Sequence, residues 1–226
     1  MTPAIILSDA LGGQLINLCA AIMLLLGFAM LAQRRILSLI NLFMLQGAVL
    51  FTSTVIVAYT THQSHLYWSA GLTLSLKVIA LPYILHRLIR KLSVKWDVET
   101  ILNIPTTMLV GIALVVVAFN VAQPISQLSG TIMRATIGIA LACVLLSFLM
   151  MITRSKAVPQ VIAFLAMENG LFFAATSATY GMPMVVELGI ALDVMVGMVI
   201  FGVFFFQIRQ QFDSLDIRHM ERIKEE

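Results

Sequence analysis

Lys156-Ala-Val-Pro-Gln-Val-Ile-Ala-Phe-Leu-Ala-Met-Glu168 opens with a cation, runs through apolar residues and ends on a carboxylate. On a helix rising about 1.5 Å per residue, Glu168 stands ~18 Å beyond Lys156, near the middle of a hydrocarbon core about 30 Å thick. An ionisable group at that depth is costly, and its retention marks a functional position. The same-face neighbours Phe164, Leu165, Leu171 and Phe172 carry no charge, so nothing on its own helix can neutralise it. The alternative is a protonated side chain donating one structural hydrogen bond between helices.

The rest of the chain has the same character. Of 226 residues, 60% are hydrophobic and only 11% charged, and the mean hydropathy is +0.99. That excludes a soluble globular domain and leaves runs long enough to span a bilayer. Seven spans are expected, at 12–33, 36–60, 66–90, 101–120, 130–153, 157–180 and 183–209. Arg34 and Arg35, then Arg87, Arg90, Lys91 and Lys95, then Arg154 and Lys156, then Arg209, Arg218, Arg222 and Lys224 fall in alternate connections. The opposite loops, at Thr61 to His65, around Gln123-Pro124 and at Gly181 to Pro183, contain no Lys or Arg. By the positive-inside rule the basic side is cytoplasmic, the N-terminus outside and the C-terminus inside. Of the 14 basic residues, only Lys77 and Arg134 fall elsewhere; Arg134 is close enough to the outer end of its span to snorkel. The N-terminus lacks a basic n-region and is expected to remain as the first span.

A repeat is visible. Arg34-Arg35-Ile-Leu-Ser-Leu-Ile-Asn-Leu-Phe-Met-Leu-Gln46 aligns with the opening stretch, both its basic start and its polar end falling at an offset of 122. Leu76-Lys77-Val78 then aligns with Leu192-Asp193-Val194. Spans one to three therefore resemble spans five to seven. With one span between them, the triplets share an orientation and form a parallel repeat. The expected fold is an all-α integral membrane protein with two parallel three-helix repeats joined by one extra helix. Residues 1–92 form the first repeat, 93–129 the linking helix, 130–211 the second repeat and 212–226 a cytoplasmic tail.

The remaining polar residues are weighed by depth. Asp193 lies ~16 Å past Met182 along its helix, between Gly189 and Gly197, which leave room for close packing or water. Lys77 stands ~15 Å from the outer end of its span, too far for its stem to snorkel. Pro82 follows it and cannot donate to the carbonyl of Val78, so a kink exposing a backbone acceptor is expected there. Gln46 can position water or join helices but carries no charge. Glu187, about one turn inside the outer end of span seven, is either a pathway exit or an interfacial acid. Cys19 and Cys143 fall in different spans without a CxxC pattern and are expected to be packing residues. His62 and His65 are expected to be solvated loop residues. No nucleotide loop, catalytic triad or haem ligand pair is present, so no cofactor, metal or nucleic-acid partner is expected of this polypeptide.

Met167-Glu168-Asn169-Gly170, Val186-Glu187-Leu188-Gly189-Ile190-Ala191-Leu192-Asp193, and Trp68-Ser69-Ala70 followed by Lys77-Val78 and Pro82 resemble the hydrogenase-4 component E family across essentially the whole chain. That resemblance implies a non-catalytic membrane subunit of a group 4 nickel–iron hydrogenase or formate hydrogenlyase complex in a prokaryotic cytoplasmic (inner) membrane. It implies three partners: antiporter-like membrane subunits, a quinone-site-like anchor subunit and a soluble hydrogenase arm bearing the metal centres. The family is in turn similar to the K subunit of respiratory complex I, which carries two intramembrane glutamates. Glu168 matches the first and Asp193 the second. Gln46 and Lys77 occupy the same positions in the first half, a departure that separates the two halves chemically. The resemblance thus implies a proton pathway through Glu168 and Asp193, coupled to redox chemistry in partner subunits, and the depth of Lys77, Gln46 and Glu187 adds them to the expected path. A purely structural scaffold and a stand-alone secondary transporter are the alternatives.

Overall fold

A computed structural model of the chain describes residues 3–91, 102–127, 131–179 and 197, with the side chains of 11–64, 66–87, 102–124, 136–156 and 158–176. The chain divides into two compact units, Met1–Ile190 and Ala191–Glu226, and the helices described below lie in the first. These are α1 (Pro3–Ala32), α2 (Ile36–Thr61), α3 (Ser64–Thr73), α4 (Leu81–Lys91), α5 (Ile104–Gln127), α6 (Thr131–Thr153) and α7 (Ala157–Thr179). A π-helical segment, Leu74–Ala80, joins α3 to α4 into one span. Among the described residues, six helical runs are long and apolar enough to cross a membrane. The expected seventh span at 183–209 and the tail lie outside the described residues.

In a bilayer every backbone polar group must be satisfied within the segment, which favours uninterrupted helices. The bounds follow the expected spans closely for α2, α6 and α7. α1 begins nearer the terminus than expected, with Pro3 at a first-turn position where its missing N–H costs nothing. α5 runs on to Gln127 through Pro124, so the stretch around Gln123-Pro124 is helix and not the loop expected. A proline there removes only the bond to the Asn120 carbonyl, near the helix end.

The third span differs most from expectation. Instead of a simple kink at Pro82, the helix widens before it: the N–H of Leu81 reaches the carbonyl of Leu76, five residues back. This i→i+5 winding is rare and recurs at functional sites. Lys77 lies within this segment.

α2 ends at His62, whose φ of 53° lies in the left-handed region, and a short turn leads into α3. α6 packs on both α5 and α7, α1 on α2 and α6, and α2 on the third span and on α7. Among the described residues, the third span and α7 do not approach backbone to backbone. Cys19, Ala20 and Met23 of α1, Leu50 of α2, Ala140 and Cys143 of α6 and Phe172 and Phe173 of α7 share one apolar cluster; both cysteines are free. Lipid tails are as apolar as these side chains, so helix association rests on close packing and interhelical hydrogen bonds. Gly170 shows the packing: a Cβ there would lie 3.1 Å from Val144 Cγ2 and 3.2 Å from Val144 N, so α6 and α7 approach nearly backbone to backbone.

Arg154 lies in the connection between α6 and α7, as expected, and is buried there. It is only 1% exposed, and its Nη2 donates to the carbonyls of Met30 at 3.1 Å and Leu31 at 2.9 Å. Those carbonyls end α1 and have no intrahelical donor, and they carry the negative end of the helix dipole. Burial pushes the guanidinium down to about 10, still far enough above neutrality to keep it charged. The contact brings the C-terminal ends of α1 and α6 together, so α2 and α7 start at the same end of the bundle.

Candidate functional site

Three of the five residues singled out by depth meet in one place. Lys77, from the π-helical segment, points its Nζ at Glu168 Oε1 of α7 across 3.5 Å. Lys77 is 2% exposed and Glu168 4%. The ammonium also lies 5.5 Å from the centroid of the Phe172 ring, within reach of a cation–π contact. With the two backbones apart among the described residues, the long lysine stem makes the connection. Gly47 of α2 stands against its root: a Cβ added there would be 3.5 Å from Lys77 Cβ.

Gln46, next to Gly47, is fully buried and accepts a hydrogen bond at Oε1 from Asn169 Nδ2 at 3.2 Å. Asn169 follows Glu168 on α7 and is likewise 0% exposed. Depth along the spans pointed to Gln46 and not to its partner Asn169, although an amide in the middle of an apolar span was the signal available. The site is therefore four residues on three helical segments: Gln46 on α2, Lys77 on the third span, Glu168 and Asn169 on α7. Asp193 and Glu187 lie outside the described residues, as does the side chain of Arg134.

A separation of 3.5 Å is longer than the ~2.7–2.9 Å of a tight charge-assisted hydrogen bond. Among the described residues, no hydrogen-bond donor meets either Glu168 oxygen at bonding geometry. The carboxylate thus depends on the lysine for compensation without being locked to it. Inside a bilayer two opposite charges must be either both present or both cancelled, because one alone is uncompensated. Proton occupancy then belongs to the pair and not to either residue. An arrangement of this kind can take up or release a proton, or change its charge state in response to a neighbouring charge.

The chain is 26% identical to an uncharacterized protein of Mycobacterium tuberculosis, over 97% of this chain and 100% of that one. It is 21% identical to the hydrogenase-4 component E of Escherichia coli K12, over 94% of this chain and 99% of the relative, and equally so to the component E of Shigella flexneri. These matches are distant and nearly end to end, and those to component E support the resemblance seen in the sequence. No protein-family model and no solved structure matches the chain.

Proposed function

We propose that this chain is a multi-pass membrane subunit of a hydrogenase complex, and that the Lys77–Glu168 pair moves protons, or charge in step with them, between the redox arm and its membrane partners. The observation that carries this is the buried pair itself: a carboxylate and an ammonium at mid-span, 3.5 Å apart. The nearly full-length similarity to hydrogenase-4 component E supplies the setting. A proton added to Glu168 cancels its charge and changes the electrostatic environment of Lys77, which favours release of a proton from the pair or movement of the lysine. In a low-dielectric site such a change is felt by charges several ångströms away. Asp193 and Glu187 extend the same path in this reading, Gln46 and Asn169 fix α2 against α7 beside it, and the two parallel three-helix halves, the second like the K subunit of complex I, make up the seven-span subunit together with one linking helix. Antiporter-like subunits, a quinone-site-like anchor and a soluble hydrogenase arm are the proposed partners. The orientation proposed is N-terminus out, C-terminus in.

The test is proton uptake or release per turnover by the assembled complex in sealed vesicles, wild type against Glu168→Gln and Asp193→Asn, with co-purification as the control for assembly. Loss of coupling in assembled variants is the result expected. Unchanged coupling would favour the second reading, a structural scaffold, for which the Gln46–Asn169 bond tying α2 to α7 is the specific observation.

A further inference from the structure

On the three spans that form the four-residue site, the buried side chains change chemistry at the level of the pair. Toward the end where α2 turns into α3, α2 buries Ser53 and Thr54, α3 buries Ser69 and Thr73, and α7 buries Thr176. Toward the other end, every buried side chain described on these spans is apolar, including Leu39 and Phe43 of α2, Leu85 of α4, and Ile162 and Ala163 of α7.

The threonines have an ordinary explanation. Thr54, Thr73 and Thr176 donate to carbonyls one turn back on their own helices, at 2.9, 3.0 and 3.0 Å, as hydroxyls in membrane helices commonly do. The serines do not share it. Ser53 is 0% and Ser69 1% exposed, and neither hydroxyl has a partner among the described residues. A buried hydroxyl left alone costs about 1–3 kcal/mol, and in proteins such groups are normally satisfied by internal water. Beside the pair, Gln46 Nε2 and Asn169 Oδ1 likewise keep a free donor and a free acceptor beyond their mutual bond. Free donors and acceptors therefore run from the pair toward the α2–α3 turn and stop at the pair in the other direction.

We infer that the Lys77–Glu168 pair exchanges protons with water through one half of the bundle only, along a file of water molecules held by Ser53, Ser69 and the acceptor oxygens of Thr73 and Thr176. The other half is an apolar plug. By the distribution of Lys and Arg, the open half faces the outside. The inference rests on the proposed function only in taking the pair as the exchanging site.

Thiol labelling in sealed vesicles tests it. Ser53→Cys, Ser69→Cys and Ala163→Cys are each close in size to the native residue. The wild-type chain, whose Cys19 and Cys143 are buried, sets the background. A small membrane-impermeant thiol reagent is applied from each side in turn to the full chain in its native membrane. Ser53→Cys and Ser69→Cys are expected to label from the side of the α2–α3 turn alone, with Ala163→Cys resisting from both. Labelling of Ala163→Cys from the opposite side, or resistance at both serine positions, would overturn the inference. The reagent reads access to water whether or not protons are coupled to turnover. A correct labelling pattern with coupling unchanged in Glu168→Gln would therefore sink the proposed function and leave the access path standing.

Discussion

Lys77 Nζ lies 3.5 Å from Glu168 Oε1, although the two residues are 91 positions apart and sit on separate spans, each of which packs on α2. Buried ion pairs seldom stabilise a fold against an apolar replacement, since desolvation offsets the Coulomb gain. A stability role is thus a weak explanation for this pair, and exchange of protons a better one.

If the two charges depend on each other, removing one alone is costly. Lys77→Met should destabilise the chain by about 3–5 kcal/mol, because Glu168 is left uncompensated. Lys77→Met combined with Glu168→Gln should recover most of that loss. Thermal unfolding of the purified variants in detergent checks this, and additive losses would show that the pair is not coupled.

The amide contact is a smaller effect. Gln46→Leu removes the acceptor of Asn169 Nδ2 and should cost about 1 kcal/mol, the scale of interhelical hydrogen bonds in membranes. Replacing Asn169 by Leu as well should add little, since no unpaired partner then remains. A double-mutant cycle by the same unfolding assay measures the difference.

Two glycines should respond in opposite ways. Gly170→Ala places a methyl 3.2 Å from the backbone nitrogen of Val144, which cannot yield as a side chain can, and should cost about 1–3 kcal/mol through overpacking. Gly47→Ala meets nothing nearer than 3.4 Å and should be neutral or slightly stabilising, as alanine is the better helix former. Parallel melting curves separate the two.

Arg154→Ala should lower stability by about 2 kcal/mol, through loss of charged hydrogen bonds to the end of α1. Its guanidinium, held at about 10, is protonated throughout the neutral range, so the contribution should not vary with pH there. Because its folded value lies below the ordinary one, the folded state binds fewer protons at strongly alkaline pH, and Arg154 then favours folding as pH rises. Unfolding curves for wild type and variant from neutral pH to above about 10 test both parts.

How much was legible follows from what each signal encodes. Apolar runs bounded by Arg34-Arg35 and by Arg154 and Lys156 marked α2, α6 and α7 well, because hydropathy reports length across a bilayer. Spacing from those boundaries placed Gln46, Lys77 and Glu168 at similar depth. It did not show which helices would be neighbours or how each would be rotated, so the meeting of Lys77 with Glu168 appears only in the fold. Pro82 announced a disturbance, yet hydropathy has no term for the wider π winding that takes up the lost donor. Asn169 carries no charge, so its amide gave a weaker signal than the carboxylate beside it. Arg154 looked like every other basic loop residue, since a charge near a span end reads as topology, and only packing shows that it caps α1.

The measurement that tests the central claim most directly is the infrared difference spectrum of the assembled complex between resting and turnover states. If Glu168 exchanges a proton, a carboxylic-acid C=O band should appear or vanish with turnover, and that band should be missing in Glu168→Gln and shifted or weakened in Lys77→Met. A difference spectrum in Glu168→Gln that is identical to that of wild type would contradict the account, leaving Lys77 and Glu168 a static tie between helices.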